Sequence, residues 1–271
     1  MIYKNYPRIY ADKDTYSTPE NFKKFVWFNP SFEFYKHMLW ILIYSNNKAR
    51  RGVYDDYNWV ASSLDIIGRM EEVGCTFHFT GMANLHKFDG PAIFISNHMS
   101  TLETTVLPSI IQPIKPVVYV IKKELANYPL FGKVAMARDP IVVGRANPRE
   151  DLQIVLDEGS ARLQEGKSVI IFPQRTRDKK FNEKTFNTLG IKLAKRNNVH
   201  VVPVTVVTDA WGQSEKIKDV GKIDPTKPIH VALGEPMKVN GNGAEEHQKV
   251  IDFIKSNLKE WGREDLILHS S

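Results

Sequence analysis

Residues 92–108 read AIFISNHMSTLETTVLP. An apolar, β-type run ends abruptly at Ser96, Asn97 and His98, and a carboxylate, Glu103, follows five places after the histidine. On a helix of roughly 3.6 residues per turn, positions five apart point about 140° away from each other. The two side chains meet only if His98 lies on the turn after a strand and Glu103 in the first turn of the next helix. Ser100 stands where it can cap that helix, with Glu103 three residues on. Two readings stay open at this point. Ser-x-x-Glu is a capping box, in which the glutamate bonds back to the serine amide. A histidine beside a carboxylate is also a general-base pair, the carboxylate fixing the tautomer and stabilising the imidazolium.

Working outward from this stretch, strands and helices alternate from about Thr76. Strand candidates are TFHFTGM, PAIFIS, PVVYVI (116–121), PIVVG (140–144), SVIIFP (168–173), HVVPVTVV (200–207) and IHVAL (229–233). Several are continuous β-branched runs, the pattern of strands buried on both faces. The clearest helix opens at Asn147-Pro148 as N-cap and first position, carries Leu152, Val155, Leu156 and Leu163 on one face, and closes at Gly166. EKTFNTLGIKLAKRNN (183–198) predicts a helix before the His200 strand, and residues 244–261 predict the last one. Strand-helix-strand order predicts an α/β fold with a mixed, largely parallel sheet flanked by helices.

With 271 residues, of which 42% are hydrophobic, the chain can bury an ordinary core, which excludes a disordered protein. The single cysteine, Cys75, excludes an internal disulfide and a thiolate cluster, and is expected as a small buried hydrophobe in a reducing compartment. A net charge of +6 fits an anionic partner. No zinc-finger spacing, RNA-binding signature or basic heptad helix is present, so nucleic acid is not expected as a partner.

The opening MIYKNYPRIYADKDTYS has no apolar core of a signal peptide, and the longest apolar run, MLWILIY (38–44), falls short of the roughly 18 residues a spanning helix needs. Residues 22–51 are dense in aromatics and flanked by Lys23, Lys24, Lys36, Lys48, Arg50 and Arg51. That is the composition of an interfacial membrane helix, and Asn29-Pro30 predicts a break into two short helical pieces. The expectation is a peripheral protein on the cytoplasmic face of a membrane, with residues 1–60 as a helical membrane-surface anchor and 61–271 as the α/β domain.

Cationic residues recur at strand ends. FPQRTRD places Gln174, Arg175, Thr176 and Arg177 after a buried strand; VGRANP places Arg145 after another; IKKEL places Lys122 at a third. Arginines with a hydroxyl at a strand end suit a phosphate or carboxylate clamp. Carboxyl ends of strands are where open α/β sheets put their sites.

These blocks resemble the glycerolipid acyltransferase family typified by bacterial 1-acyl-glycerol-3-phosphate acyltransferase. The family's Asn-His-x-Ser-x-x-x-Asp, arginine-bearing second block, Phe-Pro-Glu-Gly-Thr-Arg and Val-Pro-Val are matched in order by NHMSTLE (97–103), PIVVGR ending at Arg145, FPQRTR (172–177) and VVPVTV (201–206). The resemblance spans about Phe77 to Pro236. It implies transfer of a fatty acyl group from an acyl-CoA or acyl-carrier-protein thioester to the hydroxyl of a lysolipid acceptor at the membrane surface. His98 would be the base, with Glu103 in the aspartate's place. Lys122, Arg145, Gln174, Arg175, Thr176 and Arg177 would bind the acceptor; no cofactor, metal or covalent acyl-enzyme is implied. Two departures stand out: Glu103 adds a methylene, and Gln174 and Arg175 replace glutamate and glycine. The second leaves open an acceptor outside the glycerophosphate class, or a family member that binds lipid or acyl carrier without catalysing.

Overall fold

The computed structural model describes residues 13–144, 146–174, 176–214 and 219–268. Among them, nine strands form one sheet in the order β1-β2-β8-β7-β3-β6-β4-β5, with β9 pairing beside β7. The strands are β1 (Tyr16–Ser17), β2 (Phe77–Thr80), β3 (Ala92–Ser96), β4 (Val117–Lys122), β5 (Ile141–Val143), β6 (Ser168–Ile171), β7 (His200–Val207), β8 (Ile229–Leu233) and β9 (Met237–Lys238). Strands β7, β3, β6, β4 and β5 run parallel, so their carboxyl ends share one edge; β8 is antiparallel to β7 and parallel to β2. This is the mixed, largely parallel sheet expected. Every strand named from sequence is present. The two-residue strands β1 and β9 are additions, too short to carry a periodic signal.

Alternation along β3 divides the core. Phe94 packs with helices α1 (Pro30–Arg50), α2 (Asp56–Glu72) and α3 (Leu102–Ile111) on one face. Ile93 and Ile95 pack on the other face with α5 (Pro148–Gln164), α6 (Leu189–Asn197) and α7 (Ala244–Glu260). The short α4 (Phe131–Met136) lies against α1. Gly190 lets α6 settle directly onto β3: a Cβ there would stand 2.6 Å from the Ile95 side chain. Cys75 is buried, as expected.

Two helix expectations are corrected. Residues 22–51 do not form two helical pieces; one helix, α1, begins at Pro30, and the preceding residues are not helical. Asn29 is extended and its side chain accepts the Phe32 amide, while Pro30 occupies a first-turn position where no N–H is needed, so the Asn-Pro pair starts a helix rather than interrupting one. Residues 183–198 are helical only from Leu189, after a single 3-10 turn at Glu183–Thr185. The Asn187 side chain takes the Leu189 amide and donates to the Pro173 carbonyl, competing with an earlier helical turn. Helix α2 crosses residues 60 and 61, and Phe34 and Met38 of α1 belong to the main core.

On β2 and β8 the rings of His78 and His230 stack at 5.0 Å, and Trp261 covers His230 at 4.7 Å. Burial, with His78 and Arg263 nearby, pushes the His230 imidazole down to about 4. The unfolded chain binds this proton from its ordinary value of 6.5 downward, and the folded chain only near 4. The stability His230 contributes is therefore intact above pH 6.5 and lost as pH falls toward 4. Urea unfolding between pH 7.5 and 4 should show stability declining through this window, with a shallower decline for His230→Gln; identical slopes for the two proteins would refute the assignment.

Candidate active site

Beyond Ser96, β3 stops pairing by backbone alone. The Asn97 side chain continues the ladder: its amide donates to the Val206 carbonyl (2.8 Å) and its oxygen accepts the Val206 amide (2.9 Å). The chain then turns, with Asn97 buried and His98 half-buried at the carboxyl edge of the sheet. The His98 main chain is held from the neighbouring β6 loop. Its amide donates to Gln174 Oε1 (2.7 Å), and its carbonyl accepts the Asp178 amide (3.0 Å).

Glu103, 0% exposed, sits beneath this turn in the first turn of α3. Its Oε1 accepts from the Met99 amide (2.6 Å), the Ser100 amide (2.8 Å) and His98 Nδ1 (2.8 Å). Its Oε2 accepts from the Thr208 hydroxyl (2.6 Å) and lies 3.0 Å from the Ser100 hydroxyl, which in turn accepts the Leu102 amide. Burial alone would push the carboxyl up. The hydrogen bond and charge of His98, with the bonds from Thr208 and Ser100, outweigh it and hold the carboxyl below its ordinary value. An ionised carboxylate only accepts, so His98 Nδ1 carries the proton and Nε2 carries the lone pair. Nε2 has no hydrogen-bond partner among the described residues.

An aromatic stack backs the imidazole. Phe172 lies on the His98 ring at 4.2 Å and 19°, and Tyr119 lies behind Phe172 at 6.1 Å and 10°. The imidazole is thus fixed about both axes: Glu103 sets its rotation and Phe172 its plane.

The predicted site residues divide. His98, Glu103, Gln174 and Arg177 come together. Gln174 is 5% exposed and gives its carbonyl oxygen to the His98 amide. That role needs an acceptor oxygen, which glutamine and glutamate both supply. Arg177 Nη1 bonds Thr101 Oγ1 and Asp219 Oδ1. Thr176 is exposed on the same loop, and Lys122 ends β4 half-buried on the same edge. Arg145 and Arg175 lie outside the described residues. Thr208 and Asp219 were not singled out from sequence. Thr208 carried one signal, its place just past the end of a buried strand at the same edge; Asp219 carried none.

Known proteins resemble this chain in sequence and in fold. A family model described as Acyltransferase matches residues 76–207. The 1-acyl-sn-glycerol-3-phosphate acyltransferase of Pseudomonas aeruginosa is 27% identical over 192 residues, 69% of this chain and 70% of that protein. Its namesake from Cocos nucifera is 27% identical over 165 residues, 60% of this chain and 51% of that protein. The crystal structure of the 1-acyl-sn-glycerophosphate (LPA) acyltransferase PlsC from Thermotoga maritima has the same fold. Its TM-score is 0.64 at 17% identity, over 89% of this chain and 97% of that one. The chain is an acyltransferase. In sequence it is similar to the 1-acyl-sn-glycerol-3-phosphate acyltransferases, and in fold to PlsC.

The carboxylate geometry sets an expectation for variants. Glu103→Gln must turn an amide N–H₂ toward donors on one side or the other, which should cost about 1–3 kcal/mol of stability and lower turnover about 10²-fold or more. Glu103→Asp keeps the charge but shortens the reach, and should retain a measurable fraction of turnover. Paired urea unfolding and acyl-transfer assays check both; full activity in the two variants would reduce Glu103 to a helix cap.

Proposed function

We propose that this chain transfers a fatty acyl group from an acyl-CoA or acyl-carrier-protein thioester to the free hydroxyl of a lysophosphatidate-type acceptor at a membrane surface. The observation that carries the reading is the His98–Glu103 pair, with Nδ1 committed to a buried carboxylate and Nε2 left to a substrate. Nε2 takes the proton of the acceptor hydroxyl as its oxygen attacks the thioester carbonyl. The new C–O bond forms, the C–S bond breaks, and the imidazolium returns the proton to the departing thiolate. Glu103 stabilises the transient imidazolium. The acceptor brings the nucleophile, so the reading needs no serine or cysteine of the enzyme and no cofactor. Arg177, three residues beyond Gln174 on the same loop, is the group this reading assigns to the acceptor phosphate.

The activity for which these relatives are named supports lysophosphatidate as the acceptor. Gln174 gives no reason to look elsewhere, because its carbonyl oxygen is used on the His98 backbone. His98→Ala should lower turnover of lysophosphatidate about 10³-fold or more while leaving the thermal unfolding midpoint close to wild type. Appreciable transfer by that variant would refute His98 as the base, and acyl release independent of any acceptor would favour a thioester hydrolase.

The membrane surface is supported by the outer face of the N-terminal segment. Trp27 is 92% exposed and Trp40 67%, and Phe25, Phe28, Phe32, Leu39 and Tyr44 are exposed with them. Along α1 this stripe is opposite the core positions Phe34 and Met38, and Lys36 and Lys48 lie over the exposed rings of Phe32 and Tyr44. Apolar rings beneath lysine head groups are suited to the boundary of an anionic bilayer. No helix among the described residues is long and apolar enough to cross a membrane. The combined Trp27→Ala, Phe28→Ala and Trp40→Ala variant should lose most of its flotation with phosphatidylglycerol vesicles and keep its fold by circular dichroism; flotation equal to wild type would contradict the anchor.

A further inference from the structure

We propose that Asp219 is the positioning residue for Arg177, and that it sets how strongly the site prefers a phosphate-bearing acceptor. This rests on the acceptor reading above. Arg177 Nη1 contacts both the Thr101 hydroxyl and Asp219 Oδ1, and the Thr101 hydroxyl itself donates to the same Oδ1 at 2.9 Å. The three groups close a triangle in which the hydroxyl accepts from the arginine and donates to the aspartate. A guanidinium has five N–H donors in a fixed fork. Only Nη1 is used among the described residues, so Nε and Nη2 remain to donate. The neighbouring Asp178 amide is bonded to the His98 carbonyl, which ties the main chain of this loop to that of the histidine.

Asp219 is itself held from two sides. Its carbonyl accepts Trp211 Nε1 (3.1 Å), and Trp211, 2% exposed, packs edge-on against Phe34 and Tyr35 of α1. Two residues on, the Gly221 carbonyl accepts the Tyr35 hydroxyl (2.6 Å), and the Ile223 amide donates to Ser31 at the start of α1. Gly221 admits no side chain here, since a Cβ would stand 1.9 Å from the Gly212 carbonyl oxygen. The aspartate therefore projects from an anchored segment.

Two effects oppose each other. The Asp219 charge offsets that of Arg177, which weakens attraction for an anion. It also holds the fork in one rotamer, so the acceptor phosphate meets an arginine whose ordering is already done. Both side chains keep partial exposure, and water screens the charge cancellation. The orientation is not screened, and it decides the sign.

The test compares full-length wild type, Asp219→Asn, Asp219→Glu, Arg177→Ala and the Asp219→Asn/Arg177→Ala double variant. Each is assayed with lysophosphatidate and with the monoacylglycerol of the same chain, which lacks the phosphate. Asp219→Asn should lower the ratio of kcat/KM for lysophosphatidate over monoacylglycerol about tenfold, through acceptor KM, and Asp219→Glu should recover part of it. In the Arg177→Ala background the asparagine should add nothing. Equal losses on both acceptors, or a further loss in the double variant, would make Asp219 merely structural. A lower KM for lysophosphatidate in Asp219→Asn would make it a competitor of the phosphate. Calorimetric titration of lysophosphatidate into the same proteins separates the two layers of the argument. If wild type turned over no acceptor, the function reading would fall. The proposal would still stand if Asp219→Asn weakened binding about tenfold, and would fall if binding were unchanged.

Discussion

A buried carboxylate must be saturated with donors, and the architecture of this edge of the sheet follows from that requirement at Glu103. An unpaired ionised carboxyl in such a place costs several kcal/mol. Its donors come from two separate parts of the chain: the turn after β3, which supplies His98, Met99 and Ser100, and Thr208 past the end of β7. Thr208 reaches the carboxylate because β3 and β7 are in register up to Ser96 and Val204, and because the Asn97 side chain extends that pairing to Val206. Long-range pairing and local turn thus fix the same two oxygen atoms, and the imidazole takes its orientation from what they have left to accept.

The spacing of Ser100, Glu103 and His98 leaves open whether the carboxylate serves the turn or the histidine. In the folded chain it bonds both. The N-cap of α3 is Thr101 rather than the expected Ser100, so only half of a capping box forms: the Ser100 amide bonds to the carboxylate, while the Ser100 hydroxyl receives the Leu102 amide. The same Oε1 that accepts the turn amides accepts His98 Nδ1. The glutamate's additional methylene fits this double duty: with its backbone in the first turn of α3, the longer arm reaches back to the imidazole and sideways to Thr208.

Much of the frame was legible because its strands are long, β-branched and buried on both faces, which leaves few competing readings. The order of blocks then placed His98, Glu103 and the residues 174–177 on one edge. What escaped has a physical reason in each case. Strands β1 and β9 are two residues long and exist through pairing alone. The start of α6 depends on an asparagine whose amide is drawn to the Pro173 carbonyl, a contact from another loop. Thr208 and Asp219 act through partners about 100 and 40 residues away in sequence, respectively. Gln174 stands out in sequence by residue type alone; its bond to the His98 amide depends on a loop from another strand and shows only in the fold.

The N-terminal helix joins these levels. A helix serving only as an anchor would need no buried face, yet α1 inserts Phe34 into the core and braces Trp211 and the segment leading from Asp219. Its opposite face exposes the aromatic stripe. On the proposed reading, α1 meets the membrane with this face and braces the Arg177–Asp219 pair with the other. The rigid connection matters for the chemistry because a hydroxyl must come within hydrogen-bond reach of Nε2 while its headgroup is held some ångströms away. On that reading, the buried Trp211 holds the segment of Asp219 and the helix α1 to one another, which would keep that separation constant.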